Sequence, residues 1–511
     1  MFQLDLIAPI GDLIDRQATI AASKTAYQDA TRGVTYGDLK RRTANLSGHL
    51  AENGVEQGNC VAILLPSSVD WVEACFSIVR AGGIAVPISV EATDNEILYR
   101  LTDTKCRAVI TTTALTPKVQ AIATGAEFDL LVLPLDASAG SASFRHWTET
   151  SPATPARDFS DIDAVAFIIY TSGTTGQPKG VQLSLRNMLW VTAACWSPIL
   201  GLNEQDKLLS PLPLYHSYAL NLTVISILAT GASIHLMEKY STKEAIDLLA
   251  TGEFTVFPAV PTIFHYLLDT ARDGAVVMPG LRACVTAGAI MAGTLNAEFE
   301  ALFNVPLLDG YGITETATMV TMNSATGGRM MGSCGLPITG LAVRIVNPET
   351  LEDCAPGEDG ELIVRGPNVM LGHLNKPEET AKALRNGWYH SGDLARADAN
   401  GFLTITGRIK ELIIRGGQNI APAEIEEVVQ TLDIVVDCAV VGLPHAHLGE
   451  VPGLFVIARD KDFDEDLVIA HCRAHLSSYK VPAAVHVVAE IPRTGSGKII
   501  RYKLREQVSG N

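Results

Sequence analysis

Short apolar runs alternating with helix-length stretches constrain this chain more than any other feature. Val61 to Leu65, Ala108 to Ile110, Leu130 to Leu133, Ala164 to Tyr170 and Phe254 to Phe257 have strand length and end in polar or turn-forming residues. Helical stretches such as Tyr36 to Asn53 and Ser68 to Ala81 lie between such runs. This alternation predicts an α/β fold of mainly parallel sheets covered by helices. At 511 residues the chain is too long for one core and should divide into roughly two to four folding units. After about Gly332 the texture changes to short strands and turns (Ala342 to Val346, Gly360 to Arg365, Gly401 to Thr406), which predicts a small β-rich subdomain. Beyond Arg408 a helix at Pro422 to Thr431, strands at Val435 to Val441 and Pro452 to Ile457, and a helix at Asp466 to Leu476 predict a small C-terminal α+β domain. No internal repeat or low-complexity linker is visible, so a short hinge should join the two parts.

Composition narrows the function classes. A hydrophobic share of 47% with 19% charged residues belongs to a globular protein. Lys and Arg number 39 against 56 Asp and Glu, and the net charge of -17 argues against nucleic acid or an anionic membrane surface as partner. The nine cysteines are dispersed, with no C-x-x-C pair, and read as reduced core thiols of a cytoplasmic protein. No secretion signal is visible at the start. From Leu208 to Met237 there is no Asp, Glu, Lys or Arg, but Pro211, Pro213, His216, Asn221, Ser226 and Gly231 interrupt the run. A buried helix beside a site is expected there, and no membrane span.

The run Ala164 to Tyr170 delivers the chain into Thr171, Ser172, Gly173, Thr174, Thr175, Gly176, Gln177, Pro178, Lys179 and Gly180. Glycines let backbone N–H groups approach an oxyanion, hydroxyls add donors, and Lys179 supplies a compact charge, a combination suited to polyphosphate. It is not a Walker A loop, because Gly173 and Gly176 are too close together and Gly180 follows Lys179.

At this loop the chain resembles the adenylate-forming superfamily of acyl-CoA synthetases, 4-coumarate-CoA ligases, peptide-synthetase adenylation domains and beetle luciferases. The similarity runs nearly end to end, with each later motif in order. The resemblance implies that Thr171, Ser172, Gly173, Thr174, Thr175 and Lys179 hold the phosphates of ATP. Pro211 to Leu220 is similar to the segment lining the acyl pocket, which implies a gating role for His216 and a pocket formed with Tyr218, Leu222, Gly288, Ala289 and Gly312. Gly310-Tyr311-Gly312-Ile313-Thr314-Glu315-Thr316 matches the Y-G-x-T-E motif. There the flanking glycines should let Tyr311 lie flat against the adenine, Thr314 should donate to a phosphate, and Glu315 should ligate Mg2+. Ala289 and Asp309 are placed at the nucleotide, Asp393 at the ribose, and Arg408, with Ile405 nearby, at the ribose or α-phosphate. Lys410 occupies the hinge position between an N-terminal domain, 1–408, and a mobile C-terminal domain, 409–511. Gly416 and Gly417 are similar to the loop that lines a pantetheine tunnel. Lys498, in Pro492 to Ile499, matches the catalytic lysine.

The implied reaction is ATP-dependent activation of a carboxylic acid as an acyl-adenylate, then transfer to coenzyme A. Taken singly, His216 would equally serve as a core histidine, and Asp393 or Arg408 as surface ion-pair members. An α-amino acid substrate is disfavoured because no acidic residue lies between Lys207 and Glu238, and a dicarboxylate because the pocket segment has no basic residue. A medium-chain fatty or aryl, cinnamic-type acid is expected, with Ile290 and Met291 adding apolar surface. The resemblance of Arg415 to Ile420 to a pantetheine tunnel favours free coenzyme A as acceptor; loading of a separate carrier protein, which also presents pantetheine, is the alternative, and a non-catalytic binding protein is the remote one. A homodimer is compatible with the sequence. Leu185, Ile290, Met291, Asp309 and His445 depart from the usual residues of the family.

Overall fold

The computed structural model describes residues 2–125, 129–137, 142–171, 177–272, 276–416, 418–445, 447–460, 463–494 and 498–509. Among these residues the large N-terminal part contains two parallel-cored sheets. A seven-stranded sheet runs in the order Gly372–His373, Lys179–Ser184, Val165–Thr171, Ile84–Pro87, Cys60–Leu64, Ala108–Thr111, Leu131–Pro134. Its last five strands are parallel, and only the hairpin side is antiparallel. A nine-stranded sheet has parallel central strands, among them Lys207–Ser210, Val256–Ala259 and Ala283–Thr286, and antiparallel pairing at both edges. The predicted apolar runs fall within a residue or two of these strands, because a strand covered on both faces must be apolar throughout.

The helices between strands carry their stop signals locally. Every residue of Val69–Arg80 is buried, and Ser68 caps its start by accepting from the Trp71 N–H. Asp94–Thr104 begins with a capping box between Thr93 and Glu96. Eight of the nine free cysteines are buried, and Cys354 is half-buried.

The segment Leu208 to Met237 differs from expectation. It is not one buried helix: its ends form the strands Lys207–Ser210 and Ser233–Leu236, which pair in parallel, and only residues 217–230 between them are helical. Pro211 and Pro213 keep the connection out of helix, and Leu220–Ile225 adopts a π-helical turn. The lack of charge reflects two buried strands as well as a buried helix. No helix among the described residues is long and apolar enough to cross a membrane.

The β-rich subdomain is an antiparallel five-stranded sheet that includes Ala342–Val346, Gly360–Arg365, Trp388–Ala397 and Leu403–Arg408. The C-terminal domain builds its own sheet from Ile413–Arg415, Gln418–Ile420, Val435–His445, Gly449–Ala458 and Ala484–Val487. Helices Pro422–Val429 and Glu465–His475 cover one side of its apolar core.

One buried ionic cluster braces the N-terminal helices. Glu73 is fully buried on Val69–Arg80 and accepts from Arg42 Nε at 2.5 Å and from Arg32 Nη2 at 2.7 Å. Glu73→Ala leaves two guanidinium groups without their shared acceptor and should cost about 3 kcal/mol. A lowered urea midpoint, with a smaller drop for Glu73→Gln, is expected. An unchanged midpoint contradicts the bracing role.

Candidate active site

We label the elements that carry the site β1 (Val165–Thr171), β2 (Lys179–Ser184), β3 (Ala283–Thr286), β4 (Leu307–Ile313), β5 (Thr318–Met322), α1 (Pro377–Ala383), β6 (Trp388–Ala397) and β7 (Leu403–Arg408). The parallel strands β3 and β4 end side by side, with Thr286 opposite Asp309. Crevices beyond the carboxyl ends of parallel strands are the usual ligand positions of α/β sheets. Thr314, Glu315 and Thr316 form a short 3-10 turn directly after β4.

The glycines around Tyr311 answer a packing constraint of their own. A Cβ on Gly312 would stand 1.3 Å from the Thr318 carbonyl oxygen, and one on Gly310 would stand 2.2 Å from Met319 Cε. Both glycines are therefore required by the tight antiparallel pairing of β4 with β5, which shifts register between Tyr311 and Gly312. Tyr311 itself is buried, and its hydroxyl donates to Asp393 Oδ2 at 2.5 Å.

Asp393 is the meeting point of three elements. It sits on β6 directly opposite Arg408 of β7, and Arg408 Nε reaches Asp393 Oδ1 at 2.7 Å. The backbone N–H of Asp393 donates to Ser391 Oγ at 3.0 Å. The Asp393 carboxylate raises the Arg408 guanidinium against its burial, while burial and then Asp393 push the Tyr311 phenol well up. Ile405 lies half-buried on β7, opposite Ala395.

Lys498 comes into this cluster from the C-terminal domain. Its backbone N–H donates to Thr494 Oγ1 at 3.1 Å, and the Thr494 N–H returns a bond to the Lys498 carbonyl at 2.8 Å. The ammonium lies within the fields of Arg408, Asp393, Glu315 and Glu411, and burial, aided by Arg408, lowers it from the ordinary lysine value. Burial raises the Glu315 carboxyl, while Lys498 and Arg408 oppose the rise. His216 also lies within the field of Lys498. Burial depresses its imidazole to about 4, Lys498 adds to the depression, and Nε2 is buried with no partner among the described residues. A neutral imidazole with a free buried nitrogen is suited to hydrogen-bond a ligand carboxylate.

The pocket segment is tied to the same turn. Ser217 Oγ and Thr314 Oγ1 are 3.1 Å apart, and Thr318 Oγ1 donates to the Ser217 carbonyl at 3.1 Å. Tyr218 donates to the Val285 carbonyl at 3.3 Å and stacks on Trp196 at 6.2 Å between centroids. Gly288, at φ +91°, and Ala289 are half-buried just past β3. Leu222 and Met291 lie in hydrophobic cores, and Ile290 is 52% exposed. Asp309 is buried, and burial pushes its carboxyl well up despite a bond from the Gly310 N–H. Asp309 lies within β4, where burial favours its protonated form, which can donate as well as accept.

Of the expected phosphate loop, Thr171 and Lys179 are described, whereas Ser172, Gly173, Thr174 and Thr175 lie outside the described residues. Thr171 and Lys179 are register partners in the β1–β2 hairpin. Three contacts brace the hairpin near the loop: Tyr99 Oη donates to the Pro178 carbonyl at 2.9 Å, Tyr170 Oη to Asp103 Oδ2 at 2.7 Å, and Asn375 Nδ2 to the Asp103 carbonyl at 2.8 Å. Lys179 Nζ pairs with Glu379 of α1. Sequence reasoning missed Ser217, Glu379 and Glu411 as neighbours of the site. Ser217 adjoins His216 and could have been found, whereas isolated glutamates give no signal.

Of the remaining expected residues, Lys410 lies within the field of Glu379. Lys410 is exposed in the 3-10 turn Ile409–Glu411, and Gly416 is exposed at φ +57°, with its N–H bonded to the Leu448 carbonyl at 2.7 Å. Gly417 lies outside the described residues.

Comparison with known proteins supplies a family for this arrangement. The model of the AMP-binding enzyme family matches residues 14–374, and that of the AMP-binding enzyme C-terminal domain matches residues 424–498. A feruloyl-CoA synthase of Amycolatopsis is 32% identical over 496 residues, covering 96% of this chain and 97% of its own length. A long-chain-fatty-acid–CoA ligase of Bacillus subtilis is 31% identical over 518 residues, covering 96% and 92%. Among solved structures, an anthranilate CoA ligase in complex with anthranoyl-AMP matches with a TM-score of 0.90 at 26% identity, covering 98% and 97%. A benzoate CoA ligase of Burkholderia xenovorans matches at 0.89 and 27% identity, covering 97% and 99%.

The burial of His216 has a direct consequence. The depressed imidazole should remain neutral down to about pH 4, and because burial is the larger cause, Lys498→Ala should leave most of the depression in place. Histidine-selective NMR titration, with the signal assigned by loss in His216→Asn, checks this. A midpoint near 6.5 contradicts it.

Proposed function

The chain belongs to the AMP-binding enzyme family, and from that premise we propose that it is an ATP-dependent carboxylic acid–CoA ligase working through an acyl-adenylate. The observation that carries the reading is the entry of Lys498, from the C-terminal domain, into the field of Glu315, Asp393, Arg408 and His216. In the first step a substrate carboxylate attacks the α-phosphorus of ATP and pyrophosphate departs. Charge grows on phosphoryl and leaving oxygens, so positioned cations and donors supply most of the catalysis and no protein nucleophile is needed. Lys498 bridges carboxylate and α-phosphate, and neutral His216 orients the carboxylate without adding charge. Thr314 donates to the phosphate, and Lys179 with Thr171 and the loop 172–175 holds the outer phosphates.

Asp393 presents lone pairs to the ribose while Tyr311 and Arg408 keep its carboxylate fixed. Gly310, Tyr311, Gly312, Ala289 and Asp309 form the adenine side, and Ile405 backs Arg408. Glu315, a half-buried carboxylate oxygen ligand, fits Mg2+, which when bound neutralises phosphate charge. His216, Tyr218, Leu222, Gly288, Ala289 and Gly312 form an uncharged acyl pocket. That lining, and the names of the two relatives above, support a medium-chain fatty or aryl, cinnamic-type acid.

In the second step the thiol of coenzyme A displaces AMP. We place the domain division between residues 408 and 409, with rotation about Lys410 withdrawing Lys498 and bringing Gly416 and Gly417 to line the pantetheine path. Coenzyme A is preferred over a carrier protein as acceptor because the matched relatives are named for CoA thioesters. Parallel thiol-consumption assays with CoA and a holo-carrier separate the two.

Lys498→Ala should slow pyrophosphate exchange by about 10² to 10³-fold, the range for loss of one preorganised charge, yet largely spare thioester formation from supplied acyl-adenylate. Equal loss of both half-reactions would sink the assignment of Lys498.

A further inference from the structure

Lys179 is not left open to solvent. Its ammonium ends on Glu379 Oε2, and the two side chains are 17% and 40% exposed. The backbone brings them together. The strand Gly372–His373 pairs with β2, placing His373 opposite Val181, and the Leu374 N–H donates to the Gly180 carbonyl at 2.8 Å. Three residues beyond Leu374 the chain enters α1, where the Thr380 hydroxyl accepts from the His373 N–H at 2.9 Å and fixes the start of the helix against that strand. Glu379 is thus presented to Lys179 by a segment fastened to the strand that bears Lys179. Lys179, then Lys382 and Lys410, hold the Glu379 carboxyl below the ordinary glutamate value, so it is ionised at neutral pH. The buried His373 ring also lies within the field of Lys179, and its Nδ1 has no partner among the described residues; burial and then Lys179 depress it to about 4, so it adds no competing charge there.

A carboxylate on this ammonium and a phosphate on this ammonium are alternatives. Both are anions, and a triphosphate held by Lys179 would lie against Glu379 if the carboxylate stayed. We propose that Glu379 occupies the place of the ATP phosphates on Lys179 in the nucleotide-free protein and thereby sets ATP affinity, as a positioning residue acting through Lys179. The inference rests on the reading of Lys179 as a phosphate ligand. ATP binding exchanges one anion for another: the Lys179 to Glu379 contact breaks, a Lys179 to phosphate contact forms, and the released carboxylate turns to Lys382 and Lys410. Two effects oppose each other. Glu379 pre-orders the lysine, which favours binding, and it must be displaced and then repels phosphate, which disfavours it. The second is larger, because a pair this exposed orders Lys179 only weakly whereas the displaced charge remains next to the triphosphate.

The test uses the full-length protein and ATP. Glu379→Gln, close to isosteric, should tighten ATP binding about twofold to fivefold by calorimetry, the span expected for a half-exposed pair. It should also lower the KM for ATP and speed modification of Lys179 by an amine-selective reagent, read by mass spectrometry without nucleotide. Damage to the fold alone would weaken ATP binding. ATP affinity that is unchanged or weaker in Glu379→Gln, while Lys179→Ala weakens ATP, overturns the proposal alone. Lys179→Ala that binds ATP as tightly as the wild type overturns the reading on which the proposal rests.

Discussion

The Asp393 carboxylate is the interaction on which the rest of the site depends. It accepts from Tyr311 at 2.5 Å and from Arg408 at 2.7 Å, so one buried group ties the end of β4 to the paired strands β6 and β7. Arg408 ends β7, and Ile409–Glu411 follows at once, so the same carboxylate stands where the chain leaves for the C-terminal domain. A buried anion needs compensation, and one neutral donor with one cation supplies it. Loss of Asp393 would leave Arg408 facing Lys498 with less opposing charge, and that repulsion already lowers the lysine.

Charge balance explains why the pieces are arranged as they are. Lys498 and Arg408 repel each other, and Glu315, Asp393 and Glu411 hold them together in a low-dielectric space. His216 remains neutral beside Lys498 and contributes shape and a hydrogen bond in place of another charge. Charges held away from water act strongly on a reacting phosphate because little solvent must reorganise. Lys179 is balanced by Glu379, which is more exposed and therefore easier to exchange for a ligand anion.

Much of this was legible in the sequence, for physical reasons that also mark its limits. Buried strands such as Cys60–Leu64 and Val165–Thr171 are apolar throughout, and helix starts such as Ser68 and Thr93 carry their caps in the adjoining residues. Leu208 to Met237 was misread because an uncharged run signals burial without specifying strand or helix, and the partners that decide are sheet neighbours distant in sequence. A second constraint on Gly310 and Gly312, crowding from Thr318 and Met319 across the β4–β5 pair, is invisible until register is known. The pairing of Lys179 with Glu379 spans 200 residues and involves a half-exposed glutamate, which nothing local distinguishes from its neighbour Glu378.

The central claim is that a substrate carboxylate attacks the α-phosphorus of ATP within this cluster. The most direct measurement is isotopic: the carboxylic acid that best supports pyrophosphate release, labelled with ¹⁸O in both carboxyl oxygens, is turned over with ATP, magnesium and coenzyme A. Mass spectrometry of the products should find one ¹⁸O in the phosphate of AMP and none in pyrophosphate. Label in orthophosphate with formation of ADP, or unlabelled AMP, would contradict it.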